Sequence, residues 1–261
     1  MADNGYTVIT GASSGIGAEI ARLAAADGGN LLLIARREKR LAALQEELGT
    51  THGVTVRILP LDLTNPAAAK DVAQYVAGKG LQVECLVNNA AFGGYGLFHE
   101  QPLERNLQMI QLNTCSVAAL TRLLLPVMIE RGRGQVLNVA STAGLVPGPL
   151  QAVYYATKAF LVSFGQAIAE ELRDTGVTVT TLCPGPVRTE FIDVADLGGA
   201  KLFNAAAEAD RVAAVGWKAM KKGKLIVSEN RPILFVLRYM VPFVPRRLVL
   251  RVSRKSQEKS P

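Results

Sequence analysis

Two histidines, one tryptophan and three cysteines are few for a chain of 261 residues, and each scarcity removes a class of chemistry. His52 and His99 stand in no H-E-x-x-H pattern and no Cys/His cluster joins them, so no metal site is expected. Cys85, Cys115 and Cys183 form no C-x-x-C pair and are odd in number, which argues against a disulfide framework and for a reducing compartment. Ser141 lies in Val139-Ala140-Ser141-Thr142-Ala143 rather than G-x-S-x-G, so a serine-hydrolase triad is disfavoured. The opening residues carry no basic stretch followed by an apolar run, so no secretory signal is expected and the expected location is cytoplasmic. Residues 1 to 229 also lack net charge, with 21 basic and 21 acidic groups. A nucleic-acid-binding body is thereby disfavoured, because the whole excess of +7 falls in residues 230 to 261, where eight basic residues face one acid.

What the chain does have is alternation of short apolar runs with longer amphipathic ones. Tyr6 to Thr10, Leu31 to Ala35, Val54 to Leu59, Val83 to Asn88, Gly134 to Ala140 and Val177 to Leu182 read as strands. Gly15 to Asp27, Arg37 to Leu48, Pro66 to Ala77, Leu103 to Ile129 and Val153 to Asp174 read as helices between them. Strands without polar alternation need cover on both faces, which predicts an α/β fold with a doubly wound parallel sheet and right-handed crossovers. No internal repeat or low-complexity segment competes with this reading. One domain is expected over residues 1–229, followed by a tail at 230–261.

Directly after the first strand stands Thr10-Gly11-Ala12-Ser13-Ser14-Gly15-Ile16-Gly17, opening the first helix. Glycines here let the backbone turn tightly against a pyrophosphate, which sits on free N–H groups at the positive end of the helix. The motif is not a P-loop, because no Gly-Lys-Ser/Thr follows. Strand, Gly-rich turn and helix together make a Rossmann-type dinucleotide site. The second strand ends in Arg36-Arg37, where a basic residue would neutralise a ribose 2′-phosphate, so NADP(H) is expected over NAD.

Further on, Ser141 follows a strand and Tyr154 has Lys158 four residues later, one helical turn away on the same face. A free phenol, with a pKa of about 10, is a poor acid or base at neutrality, and a nearby ammonium favours its phenolate. Tyr154 thereby becomes an acid/base candidate, and Ser141 a hydrogen-bond donor to an oxygen that gains charge.

This set resembles the classical short-chain dehydrogenase/reductase family over about residues 5 to 229, with further matches at Leu61-Asp62-Leu63, Asn88-Asn89-Ala90, Asn113 and Pro184-Gly185-Pro186-Val187-Arg188-Thr189. The resemblance implies interconversion of an alcohol and a carbonyl by hydride transfer. It places Asp62 and Leu63 near the adenine, Asn88 and Ala90 along the cofactor, and Lys158 also on the nicotinamide ribose. Asn113 would help position a proton-relay water, and Pro184, Gly185, Val187 and Thr189 would meet the nicotinamide end. Ala91 departs from the family's usual Gly. Assembly as a homodimer or homotetramer through Leu103–Ile129 and Val153–Asp174 is likewise implied. The resemblance further implies that a segment at about 190–224 covers the substrate; Phe191, Leu197, Leu202, Phe203 and Trp217 in it suggest an apolar substrate face, and core packing explains Trp217 equally well. A non-catalytic nucleotide-binding or membrane-associated interaction protein on the same fold is the alternative, disfavoured because binding alone needs no activated phenol.

The tail is apolar from Pro232 to Pro245 but broken by Arg238 and Pro242, so it falls short of the roughly 20 apolar residues of a membrane span. After Pro245, Arg247, Arg251, Arg254 and Lys255 recur on one helical face and Leu248, Val249 and Val252 on another. Contact with an anionic membrane surface, packing on the body and packing on a second subunit all fit that pattern.

Overall fold

The computed structural model describes residues 5–199 and 206–259. The uninterrupted apolar runs form the strands β1 (Tyr6–Thr10), β2 (Asn30–Ala35), β3 (Val56–Pro60), β4 (Val83–Asn88), β5 (Gly134–Val139) and β6 (Val177–Leu182). With a late strand β9 (Ile226–Val227) they make one parallel sheet of order β3-β2-β1-β4-β5-β6-β9. In β2, Leu31, Leu32, Leu33 and Ile34 are all fully buried, which is why no polar alternation marks this strand. A small parallel pair, β7 (Val187–Arg188) with β8 (Ala207–Glu208), lies outside the main sheet.

The helices α1 (Gly15–Ala26), α2 (Glu38–His52) and α8 (Ala209–Lys221) share one core with the sheet, built on Ile20, Leu41, Leu48, Val212 and Met220. On a second core lie α3 (Ala68–Gly78) and α5 (Ser116–Glu130), through Val72, Leu120, Leu124 and Met128. Fully burying such a side chain contributes about 1.5–3 kcal/mol, so these two layers dominate the fold's stability. The strand order reverses between β1 and β4. A crevice opens there beyond their carboxyl ends, and such crevices are where ligands bind in these sheets.

Two sequence expectations change in detail. The single helix expected over Leu103 to Ile129 is α4 (Leu103–Ile110) and α5 joined by a π-turn at Gln111–Cys115, which puts Asn113 at a local widening. By length and composition Leu103–Glu130 could cross a membrane, yet α5 packs on α3 and β4. The third strand begins at Val56, not Val54, because the Thr55 N–H is taken by Asn30 Oδ1 at 3.0 Å. The 20-residue α6 (Ala152–Glu171) lies against β6 and carries the Tyr-Lys pair. A short α7 (Phe191–Val194) follows β7. The tail folds as α9 (Arg231–Phe235), a π-turn at Val236–Met240, a 3₁₀ turn at Val241–Phe243 and the expected amphipathic helix α10 (Arg246–Gln257).

Candidate active site

At the end of β1 the chain must reverse into α1 within four residues, and two glycines permit it. Gly11 and Gly15 have φ of +66° and +54°, the left-handed region that side chains disfavour. A Cβ on Gly11 would meet Ala90 Cα at 2.9 Å, and one on Gly15 would meet Thr189 Cγ2 at 3.0 Å. Ser14 caps α1 from an extended conformation without spending its side chain on the helix, so the first-turn N–H groups of Gly15, Ile16 and Gly17 are left for an anion. Gly17 is there for packing, since its Cβ would strike Gly11 O at 2.5 Å.

The turn is braced from β4. Thr10 Oγ1 accepts from the N–H groups of Asn89 and Ala90 at 2.9 and 3.0 Å, and Asn89 Nδ2 donates to the carbonyls of Thr10 and Gly11 at 2.9 and 3.2 Å. Asn88 does not line the cofactor site, contrary to the expectation. Successive residues of a strand face opposite ways, and Asn88 is buried with Nδ2 donating to Thr121 Oγ1 at 3.0 Å and to Asn138 Oδ1 at 2.9 Å. The neighbour that sequence reasoning passed over, Asn89, holds the phosphate turn.

At the adenosine end the two arginines separate. Arg37 forks over the turn, its Nη2 donating to Ser14 Oγ at 2.8 Å and to Ser13 Oγ at 3.1 Å, while Nη1 pairs with Glu190 Oε2 at 2.7 Å. Arg40 also pairs with Glu190, and the two guanidiniums, Arg40 foremost, hold that carboxyl down to about 2. Arg36 is 69% exposed and only 3.9 Å from Asp62 Oδ2. Asp62 itself accepts from Thr64 N–H and Oγ1, and with Leu63 it walls the cavity. Glu190 gave no sequence signal, because its partners lie about 150 residues away in the chain.

At the opposite end stand Ser141, Tyr154 and Lys158. Ser141 follows β5, and its Oγ accepts from Ala143 N–H at 3.1 Å and donates to Pro184 O at 3.3 Å. Burial pushes the Tyr154 phenol well above its ordinary value, and a hydrogen bond with Ser141 opposes the shift. Lys158 is buried, its Nζ donating to Val139 O at 2.8 Å and lying 5.7 Å from the centre of the Tyr154 ring. Burial lowers its ammonium to about 8. The sequence led to a phenol lowered by Lys158; here the dominant effect on the phenol is loss of solvent.

Asn113 lies behind the wall rather than in it. Its Nδ2 donates to Phe92 O at 3.0 Å and Thr157 Oγ1 at 3.1 Å, and its Oδ1 accepts from Phe92 N–H at 3.3 Å, so the amide braces α6 against the loop after β4. Of the two readings of Trp217, core packing holds: its indole N–H donates to Asp27 Oδ2 at 2.7 Å and its ring belongs to the core between α8 and α1. Leu202 and Phe203 lie outside the described residues. His99 is exposed beside Glu100, away from the cavity.

Between the two ends runs a cavity of about 330 Å³. Gly11, Ser13, Ser14, Gly15 and Ile16 form its floor with Ala90, and Pro184, Gly185, Val187 and Thr189 close the far side. Tyr155, Phe191, Val194 and Leu197 add apolar wall, with the Phe191 ring 5.2 Å from that of Tyr154. Gln151, another residue missed in the sequence, also lines the cavity and keeps a buried Oε1 without a hydrogen-bond partner. A glycine cradle that a Cβ would fill, free helix N–H groups and Arg37 over two serines fit a dinucleotide bearing a 2′-phosphate.

The model of the short chain dehydrogenases matches residues 6–196. The chain belongs to that family. Family members are oxidoreductases, and the Rossmann-type sheet is shared with their solved structures. A short-chain dehydrogenase from Sphingobium yanoikuyae, solved in complex with NADPH, is similar with a TM-score of 0.82 and 30% identity, covering 88% of this chain and 90% of that one. The NADP-dependent 3-hydroxy acid dehydrogenase YdfG of Salmonella typhi is 37% identical over 189 residues, 72% of this chain and 75% of that protein. The very-long-chain 3-oxoacyl-CoA reductase of Bos taurus is 32% identical over 198 residues, 72% of this chain, and this chain spans only 61% of that enzyme's length.

Proposed function

We propose that this family member is an NADP(H)-dependent oxidoreductase that interconverts an alcohol and a carbonyl compound with an apolar body. The observation that carries the reading is the convergence of Ser141, Tyr154 and Lys158 on one end of the cavity that Arg37, Ser13 and Ser14 close at the other. NADP(H) is the cofactor: the relatives from Sphingobium yanoikuyae and Salmonella typhi bind or depend on it, and the Arg37 fork supplies the charge a 2′-phosphate requires.

When bound, the nicotinamide supplies or takes the hydride at the carbonyl carbon. The chain's own part is the proton. In reduction Ser141 Oγ–H turns from Pro184 O to the carbonyl oxygen, and Tyr154 Oη gives its proton to that oxygen as negative charge builds there. Lys158 then stabilises the phenolate left behind. In oxidation the same groups act in reverse, with the phenolate taking the alcohol proton. Phe92, Tyr155, Phe191 and Leu197 give the substrate end its apolar character. Exposed Leu103, Leu107, Ile110, Leu123, Val127 and Phe160 on α4, α5 and α6 support assembly through those helices.

The test is NADPH consumption against a panel of ketones, aldehydes and 3-oxoacyl thioesters, the last suggested by the name of the Bos taurus relative. Turnover of at least one class with NADPH, abolished in Tyr154→Phe, is expected. NADPH binding with no turnover on any class would leave the non-catalytic alternative.

A further inference from the structure

Beyond the catalytic domain, the tail turns an uncommon number of large apolar side chains toward solvent. Ile233, Phe235, Val236, Tyr239 and Met240 are all exposed, and Phe243 is 88% exposed. The run is held in place: Arg238 donates to Gln166 Oε1 on α6 at 3.3 Å and stacks over Tyr239, whose ring lies 5.3 Å from that of Phe235.

The helix α10 is fixed in rotation by what it buries. Val249 and Gln257 face the body, with Gln151 Nε2 donating to Gln257 Oε1 at 2.8 Å and Ser253 Oγ donating to Pro147 O at 2.9 Å. Val249 is therefore turned away from Leu248 and Val252, with which the sequence pattern placed it on one apolar face. At 100° per residue the opposite face presents Arg247, Arg251, Arg254 and Lys255, all exposed, flanked by exposed Leu248 and Val252. Arg254 pairs with Glu258. Among the described residues, Arg231, Arg246, Arg247, Arg251 and Lys255 have no carboxylate partner.

We infer that the surface from Arg231 to Gln257 docks on an anionic phospholipid bilayer. Charge decides between occupants. The body is neutral and this segment carries the whole +7, so a second copy of the same face would be repelled, whereas an anionic bilayer offers both opposite charge and an apolar layer for Phe235, Tyr239, Met240 and Phe243. Each basic group near such a surface multiplies binding about fivefold at low salt. Docking also brings the substrate end of the cavity beside the bilayer, because α10 is bonded to Gln151 in its wall and Lys259, just past α10, pairs with Asp196 at 2.9 Å. The inference is independent of the reaction proposed above.

Co-sedimentation of the full chain with vesicles tests it, using phosphatidylglycerol mixed with phosphatidylcholine against phosphatidylcholine alone. Binding to the anionic vesicles only, weakened by salt, is expected. The double variant Arg247→Gln/Arg251→Gln should then lose about thirtyfold in vesicle affinity and Phe235→Ser/Phe243→Ser about tenfold or more, both with unchanged NADPH binding and unchanged molar mass. Equal binding to both vesicle types, or variants that sediment like the parent, would overturn it. So would Phe235→Ser/Phe243→Ser variants that change the oligomeric mass without changing vesicle binding, which would assign the face to a second copy.

Discussion

Lys158 Nζ donates to the carbonyl oxygen of Val139, 2.8 Å away at the end of β5, and lies 5.7 Å from the centre of the Tyr154 ring. The contact ties the acid/base helix to the sheet and offsets part of the cost of burying the charge that has to stabilise the phenolate.

A pH dependence follows from that burial. With the Lys158 ammonium lowered to about 8 and Tyr154 kept protonated, the proton donor persists in mild alkali but the charge that stabilises its conjugate base is lost. Reductive kcat should therefore be level near neutrality and decline above about pH 8. Lys158→Arg, whose guanidinium does not titrate there, should be slower but show no such decline. A wild-type profile flat to about pH 9.5 would count against this role for Lys158.

The same charge should cost stability. An unfolded chain keeps the lysine charged up to its ordinary value near 10.4, whereas the native state sheds the proton from about 8 upward. Below about 8 both states are charged and the native one bears the burial cost; between the two values wild-type stability rises with pH. Lys158→Met should thus melt higher than wild type near neutrality, by about 2–4 °C for each kcal/mol of burial cost removed, less what is lost with the Val139 hydrogen bond. Thermal denaturation at several pH values should show the gap closing as pH approaches 10.4.

Tyr154→Phe removes the transferable proton and keeps the ring against Phe191, so kcat should fall about 10²- to 10⁴-fold while NADPH titrates as before. Ser141→Ala should cost about 10²- to 10³-fold. Tyr155→Phe should be much milder in turnover, since Tyr155 packs its ring over Gly148 and shares no hydrogen bond with Ser141 among the described residues.

Arg37 is shared between the phosphate turn and Glu190, which gives opposite expectations for the two partners. Arg37→Ala should weaken NADPH about tenfold or more and leave NADH nearly unchanged, because only NADPH carries the extra phosphate. Glu190→Gln should strengthen NADPH several-fold by releasing Arg37 and Arg40 from a competing carboxylate. Fluorescence titration of both cofactors measures each change, and equal losses for NADPH and NADH in Arg37→Ala would show that the arginine supports the turn alone.

The sequence by itself determined the parallel sheet, the glycine turn and the Tyr154–Lys158 pair. Those depend on local regularities: unbroken apolar runs for strands buried on both faces, φ values that only glycine adopts readily, and a four-residue helical repeat. Tertiary structure decided which neighbour of a matched pair faces the cavity. Asn88 and Asn89 are alike in the sequence, and only the register of β4 sends one into the core and the other to the turn. It decided also that Asn113 braces α6, that Trp217 packs on α1, that Glu190 restrains Arg37 and that α10 rotates Val249 inward. Each of these depends on groups brought together from distant parts of the chain, and side-chain spacing carries no information about a contact that exists only once the sheet has assembled.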